Sequence, residues 1–190
     1  QTIYRKPKTT IRDPKNYKYP YLLKGLVIDR PNQVWQTDIT YIPMFRGFMY
    51  MNAIIDVYSR KILNWSISNS MDKQWCIELL RDTIAQYGNT EIHNSDQGSQ
   101  YTSSEYIEVL KEHDIQISMD SKGRALDNIF IERFWKSLKY EKIYLNPPNG
   151  GLDLYQMVTE YIEFYNTKRR HTEIGKVPPD QIYNTKRIAS

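Results

Sequence analysis

The spacing of hydrophobic residues changes once along this chain, and that change restricts the folds open to it. Between Val34 and Ser68 three runs follow one another: VWQTDITYI, FMYMNAIIDVYS and KILNWSIS, the first two separated by the turn FRG. Alternation with a period of two predicts half-buried strands, and short connections between them predict an antiparallel meander. After Asp72 the period becomes helical. KQWCIELLRDTIAQY carries Cys76, Leu79, Leu80, Thr83, Ile84 and Tyr87 on one stripe, with Asp72 placed to cap it and Gly88 to end it. A strand then runs into HNSD, a helix covers SSEYIEVLKEH and IQISM is a short fifth strand. NIFIERFWKSLKYEKIY is a strong helix, LNPPNGG breaks it, and LDLYQMVTEYIEFYN forms a last helix before a basic, Pro-containing end. Strands in a hairpin series, then strands alternating with helices, predict an α/β fold with a mixed sheet flanked by helices.

Composition narrows the class further. With 190 residues, 40% of them hydrophobic, the chain suits one domain with appendages and can bury a core. It has no apolar run near the roughly 20 residues of a membrane span and no signal-peptide pattern. A single cysteine, Cys76, excludes a disulfide framework and reads as core filler, so a reducing cytoplasm is expected. Residues 1–30 hold eight Lys/Arg against Asp13 and Asp29, a net of +6, so the remainder of a +4 chain nets −2. Tyr4, Tyr17, Tyr19 and Tyr21 are threaded through this Pro-punctuated arm, a mixture that suits a nucleic-acid backbone as well as a plain linker. We therefore expect an extended basic arm over 1–31, a core over 32–183 and a tail over 184–190. A start at Gln1 rather than Met is expected of a fragment.

Three acids stand in unusual settings. Asp38 lies inside the first strand between Trp35 and Ile39, where an unpaired charge is costly. Asp96 sits in HNSDQGSQ, at the end of the fourth strand, with no Lys or Arg within four positions on either side. On the helix after the fifth strand, 100° per residue puts Asn128, Lys136 and Lys139 within about 40° of Glu132, while the large apolar residues lie on the other side. Asp127 and Glu141 project toward that apolar side. A stripe of one amide, one carboxylate and two lysines suits a metal and a phosphate; taken alone, it also fits an exposed Glu132–Lys136 pair.

The order of these segments resembles a known family. WQTDITYI, IIDVYSRKILNWSIS, HNSDQGSQYTS, SKGRALDNIFIERFWKSLKYE and YIEFYNTKRRHTEIGKVPP, with 35 residues between Asp96 and Glu132, are similar to the integrase catalytic core of DDE transposases. The likeness is to bacterial insertion-sequence transposases of the OrfB type, within the retroviral integrase superfamily, and it covers roughly residues 31–180. It implies an RNase H-like fold, a five-stranded mixed sheet with helices on both faces, which agrees with the element order read above. It implies that Asp38, Asp96 and Glu132 form the catalytic triad and bind two Mg²⁺ ions, with Mn²⁺ as substitute, in a site completed by DNA and water. Mg²⁺ favours such sites, and two ions can clamp both oxygens of an in-line displacement.

The resemblance also implies DNA cleavage and 3′-OH strand transfer at element ends, without a covalent protein–DNA intermediate. Lys136 and Lys139 match basic residues that touch the DNA end, Asn128 a polar residue near the scissile phosphate. Lys122, Gly123 and Arg124 fall in the mobile loop ahead of the helix. Arg169 and Arg170 fit either a DNA contact or a structural clasp. The expected partners are transposon ends and target DNA, with a homo-oligomer pairing two ends, in a bacterial, nucleoid-associated setting. An upstream helix-turn-helix region found in relatives is expected to be missing here. Three close carboxylates repel one another, so the triad is expected to stand splayed without cations. His93 is read as a hydrogen-bonded core residue, Asp56 as a strand-end residue bonded locally and His171 as part of a C-terminal clasp. Three histidines and one cysteine offer no zinc site. The competing readings are an RNase H-like nuclease that only hydrolyses and a DNA-binding module without catalysis.

Overall fold

The computed structural model describes residues 18–120 and 128–187, with side chains to residue 185. Its elements run β1 (Val34–Pro43), β2 (Phe48–Asp56), β3 (Ile62–Ser68), α1 (Lys73–Tyr87), β4 (Ile92–Ser95), α2 (Ser104–Glu112), β5 (Gln116–Met119) and α3 (Ile129–Leu138). A π-helical turn (Lys139–Ile143), α4 (Gly151–Thr167), a 3₁₀ turn (Thr172–Ile174) and α5 (Pro179–Arg187) complete the chain. The strands form one sheet in the order β3-β2-β1-β4-β5. β1, β2 and β3 pair antiparallel, whereas β4 pairs parallel to both β1 and β5. The expected five-stranded mixed sheet is therefore present, with β1 at its centre.

Alternation along the strands sorts side chains between two cores. On β2, Met51, Ala53 and Ile55 face α3 and α4, packing with Phe134, Leu138 and Val158. Ile54 faces the other way, with Trp35, Leu80, Ile107 and Leu110 beneath α1 and α2. Each of the larger of these buried side chains contributes about 1.5–3 kcal/mol. Both helices on the second face begin as the sequence suggested. Asp72 accepts from Gln74 N at 2.7 Å, and Ser103 caps α2. Cys76 is buried and free. Among the described residues no helix is long and apolar enough to cross a membrane.

Several details depart from the sequence reading. The second strand stops at Asp56 instead of running to Ser59, because the Asp56 carboxylate turns the chain. It accepts from Asn32 N (2.8 Å), Ser59 N (2.8 Å) and the Ser59 hydroxyl (2.6 Å), and it is fully buried. The helix expected over 128–144 is α-helical only to Leu138 and then widens into the π-helical turn. Part of the expected arm packs on the core: Leu22, Leu23, Leu26 and Ile28 lie against Val34, Val57 and Ile92. Pro20 O accepts from Met119 N, and Leu22 N donates to Ser118 Oγ. Residues 1–17 lie outside the described residues.

The basic end contains a helix that the sequence reading did not place, α5, which opens on Pro179 as a helix start allows. Its Tyr183 is buried and donates to Asn32 Oδ1 at 3.0 Å, and Asp180 pairs with Lys61 at 2.7 Å. Asn166 at the end of α4 binds both backbone groups of Ile62, donating to its carbonyl at 2.9 Å and accepting from its N–H at 3.0 Å.

Asp56→Asn exchanges a buried acceptor of three hydrogen bonds for a group that can accept fewer. It is expected to lower stability by about 2 kcal/mol in urea denaturation while leaving Mn²⁺ affinity unchanged. A loss of metal affinity with intact stability would give Asp56 the opposite role.

Candidate active site

The sheet forks where its pairing changes sense. β1 and β4 run parallel through Val34–Ile92, Trp35–His93 and Gln36–Asn94, and there the pairing stops. Two residues further along each strand stand Asp38 and Asp96, so the same register brings them abreast just past the last rung. β1 continues, paired with β2 as far as Pro43. A cleft at the carboxyl ends of parallel strands is where α/β sheets place their ligands. Parity decides the face. Thr37 points to the α1/α2 side, its hydroxyl donating to Asn52 Oδ1 at 3.1 Å; Asp38 and Thr40 point to the α3 side.

Asp38 is half-buried there beside Ala53, its small partner on β2. Its Oδ2 accepts from the indole Nε1 of Trp135 on α3 at 2.9 Å. Burial pushes its carboxyl up to about 7, opposed by the Trp135 hydrogen bond and reinforced by the charges of Asp96 and Glu132. The same interactions show that the three acids from β1, the end of β4 and α3 share one electrostatic neighbourhood. One lysine is placed by a partner that the helical wheel could not supply. Lys139 donates to Thr40 Oγ1 at 2.7 Å, and burial lowers the pKa of its amine.

Asp96 leaves the end of β4 into an exposed turn. Its Oδ1 accepts from Gly98 N at 2.8 Å, and crowding by the protein on its inner side raises its pKa. A Cβ at Gly98 would lie 2.8 Å from that same oxygen, closer than unbonded atoms approach. Gly98 is thus the residue that admits the Asp96 carboxylate. Behind the turn, Gln97 donates to Asp120 O at 2.8 Å and Asn94 to Asp120 Oδ1 at 2.8 Å, which ties the loop to the end of β5.

Glu132 lies exposed in the first turn of α3, as does Lys136 one turn on; among the described residues no ion pair joins them. Asn128 differs from the expected exposed stripe. It is the N-cap of α3, outside the helical geometry that the wheel assumes, and it is buried. Its Nδ2 donates to Thr37 O at 3.2 Å, on the residue before Asp38, and its Oδ1 has no partner among the described residues. Lys122, Gly123, Arg124 and Asp127 lie outside the described residues. Glu141 accepts from Arg169 at 2.6 and 3.1 Å, so Arg169 acts as a clasp, whereas Arg170 is exposed. His93 is buried against Tyr106, ring nitrogen to hydroxyl 2.9 Å, and burial lowers its pKa to about 3, so it stays neutral. Sequence reasoning missed Trp135; a buried indole N–H needs an acceptor, and that requirement was the available signal.

The donor set suits a hard divalent cation: carboxylate oxygens only, with no lysine or arginine bonded to any of them among the described residues. Among the described residues no three His, Cys, Asp or Glu side chains are gathered tightly enough to hold one ion as they stand.

Two consequences are measurable on the metal-free protein. Asp38 has a folded pKa above its unfolded value, so its contribution to stability is present below about 3.8 and lost as pH rises through about 7. Asp38→Asn removes the charged form, and is expected to raise the melting temperature at pH 8 and by much less at pH 5. Gly98→Ala is expected to fold with nearly unchanged melting temperature, since the flexible carboxylate can yield, but to weaken Mn²⁺ binding about tenfold, the order seen when groups that orient metal ligands are changed. Calorimetric titration reads it; an unchanged affinity would remove Gly98 from the site.

The integrase core domain family matches residues 28–125, and a second integrase core domain family matches 113–179. The transposase for insertion sequence element IS904 of Lactococcus lactis is 39% identical over 191 residues, covering 89% of this chain and 74% of the relative. The transposase InsF for IS3A of Escherichia coli is 36% identical, covering 81% of this chain and 54% of the relative. The putative transposase InsK for IS150 of the same species is 33% identical, with 82% and 56% covered. The chain therefore spans three quarters of the first and just over half of the other two. Among solved structures, the HTLV-2 integrase catalytic core domain in complex with magnesium superposes with a TM-score of 0.67 at 20% identity, over 82% of this chain and 98% of that one. The simian T-cell lymphotropic virus intasome gives 0.71 at 20% identity, over 90% and 60%. These likenesses establish an RNase H-like fold, and with the family matches and the 39% identical relative they show that this chain belongs to the integrase core domain family, alongside the transposases of bacterial insertion sequences.

Proposed function

We propose that this chain is the catalytic core of a DNA transposase, with residues 32–183 as the working unit. It cuts a phosphodiester bond at the end of an insertion sequence and joins the freed 3′-OH to another strand. One observation supports the reading most: Asp38, buried beside the fork of the sheet, feels the opposing charges of both Asp96 and Glu132, which come from two other elements. Such an arrangement is unfavourable unless cations occupy it. Bound there, two Mg²⁺ ions (Mn²⁺ as substitute) would supply Lewis acidity to the attacking and leaving oxygens of an in-line displacement.

The chain's own residues do the rest. Asp38, with one oxygen on Trp135, keeps the other for a cation, and Asp96, with one oxygen on Gly98 N, does the same. Glu132, exposed on α3, closes the set from the third side. Lys136 and Lys139 would bind phosphate oxygens beside the scissile bond, with Lys139 exchanging its Thr40 contact for one to DNA. Asn128 holds the backbone of Thr37 from beneath and so positions Asp38. Two copies, each on one element end, would be needed for synapsis.

Incubated with Mg²⁺ and a duplex carrying labelled insertion-sequence ends, the protein is expected to give both nicked and joined products. Asp38→Asn, Asp96→Asn and Glu132→Gln should each reduce them by about a thousandfold or more, the order of loss for an essential group. Nicks without joined strands would favour the hydrolytic alternative, and activity that survives EDTA would sink the metal mechanism.

A further inference from the structure

Beyond the carboxylates, α3 borders a second basin. A cavity of about 430 Å³ lies between α3, the β2–β3 turn and the segment following α4. Its cations are Arg60, Arg133, Lys136, Arg169 and Arg170, against one acid, Glu173. Arg169 is spent on Glu141. The other four cationic groups have no ion pair or side-chain hydrogen bond to any described residue, although a guanidinium carries five N–H donors.

Arg60 is held there at a cost. Its backbone is left-handed, φ 68°, which a long side chain rarely adopts. Its guanidinium lies 3.8 Å from the centre of the Phe130 ring, which fixes the plane of the fork. Arg60 also lines an adjoining cleft of about 320 Å³ with Val57, Phe130, Glu173, Ile174 and Ile182. Burial accordingly lowers its pKa. A strained, desolvated, planar cation whose guanidinium has no side-chain partner among the described residues is a site built for an acceptor of several hydrogen bonds.

The helix relates this basin to the acids. Around α3, Trp135 touches Asp38, Glu132 comes next, and Lys136 and then Arg133 follow at about 40° and 100° further round. A strand leaving the carboxylates across Lys136 therefore enters the basin. We propose that the basin binds a backbone phosphate of the DNA strand beyond the scissile bond, with Arg60 and Arg170 as its principal donors and Arg133 and Lys136 along the approach. Arginine forks match phosphate oxygens in pairs. This rests on the reading of the chain as a DNA-processing enzyme and adds to it a second anchor outside the metal site.

Binding of the full chain to an insertion-sequence-end duplex, measured by fluorescence anisotropy in EDTA across a salt series, tests the idea independently of catalysis. The salt slope is expected to fall by about 1 for Arg170→Gln and by about 2 for the Arg60→Gln/Arg170→Gln double variant. Arg81→Gln, a charge removed from α1 on the opposite face, should leave it unchanged. If Arg60→Gln fails to fold, Arg60→Lys replaces it: the slope should hold, with affinity down about tenfold through loss of the fork. Neutral methylphosphonate linkages placed one at a time should reveal one position that weakens the wild type and leaves the double variant unaffected. Wild-type binding with unchanged slopes in both Arg170→Gln and the double variant overturns the basin alone. Absence of any DNA binding by the wild type overturns the basin and the proposed function together.

Discussion

The parallel pairing of β1 with β4 is the constraint on which the candidate site depends. Because the last rung joins Gln36 to Asn94, the two acids beyond it stand level and on one face with no strand between them. Their separation is set by hydrogen-bonded backbone on one side and by an open fork on the other. β2 keeps β1 straight past the fork, and its Ala53 leaves the space into which Trp135 reaches. The third acid arrives on a helix that packs on the sheet through Phe134 and Leu138. A shift of one residue in the β1–β4 register would turn one acid to the opposite face.

Among the described residues no cation is bonded to the three acids, although the Lys139 amine feels the charge of Asp38. Lysines stand near the site, yet Lys139 is turned to a threonine and Lys136 to solvent. Burial and mutual repulsion act in the same direction on Asp38. The chain thus gives up stability at the fork, where Asp38 is buried beside other acids, and the packed sheet and helices offset that cost. Indole and backbone N–H donors orient single oxygens of Asp38 and Asp96 without neutralising them.

Much of this was legible in the residues. Alternation in VWQTDITYI placed Asp38 on one face of a strand, and the end of the hydrophobic run placed Asp96 at a strand terminus. The change of period gave the element order and hence the mixed sheet. What remained hidden depended on contacts between distant segments. Trp135 looked like another apolar residue of α3 until its N–H found Asp38, 97 residues away. Asn128 read as a surface residue because a helical wheel treats a cap as helix. α5 has only Ile182 and Tyr183 as apolar residues near its centre, too few to show a period, and it is held instead by Tyr183 and the Lys61–Asp180 pair. The leucines at 22, 23 and 26 carry no period either, and only the exposed end of the sheet gives them a place.

The amide of Asn166 has a wider consequence. By binding the N–H and the carbonyl of Ile62 it imitates the backbone of a neighbouring strand on the outer side of β3. At the opposite border, the carbonyl of Pro20 takes the N–H of Met119 on β5. Each border strand therefore has a rung already filled by a residue far away in sequence. A strand from another molecule could not run the length of either border without displacing it, and sheet extension between copies is disfavoured. Self-association of this core must be sought on its helical and loop surfaces, leaving the sheet a closed interior frame.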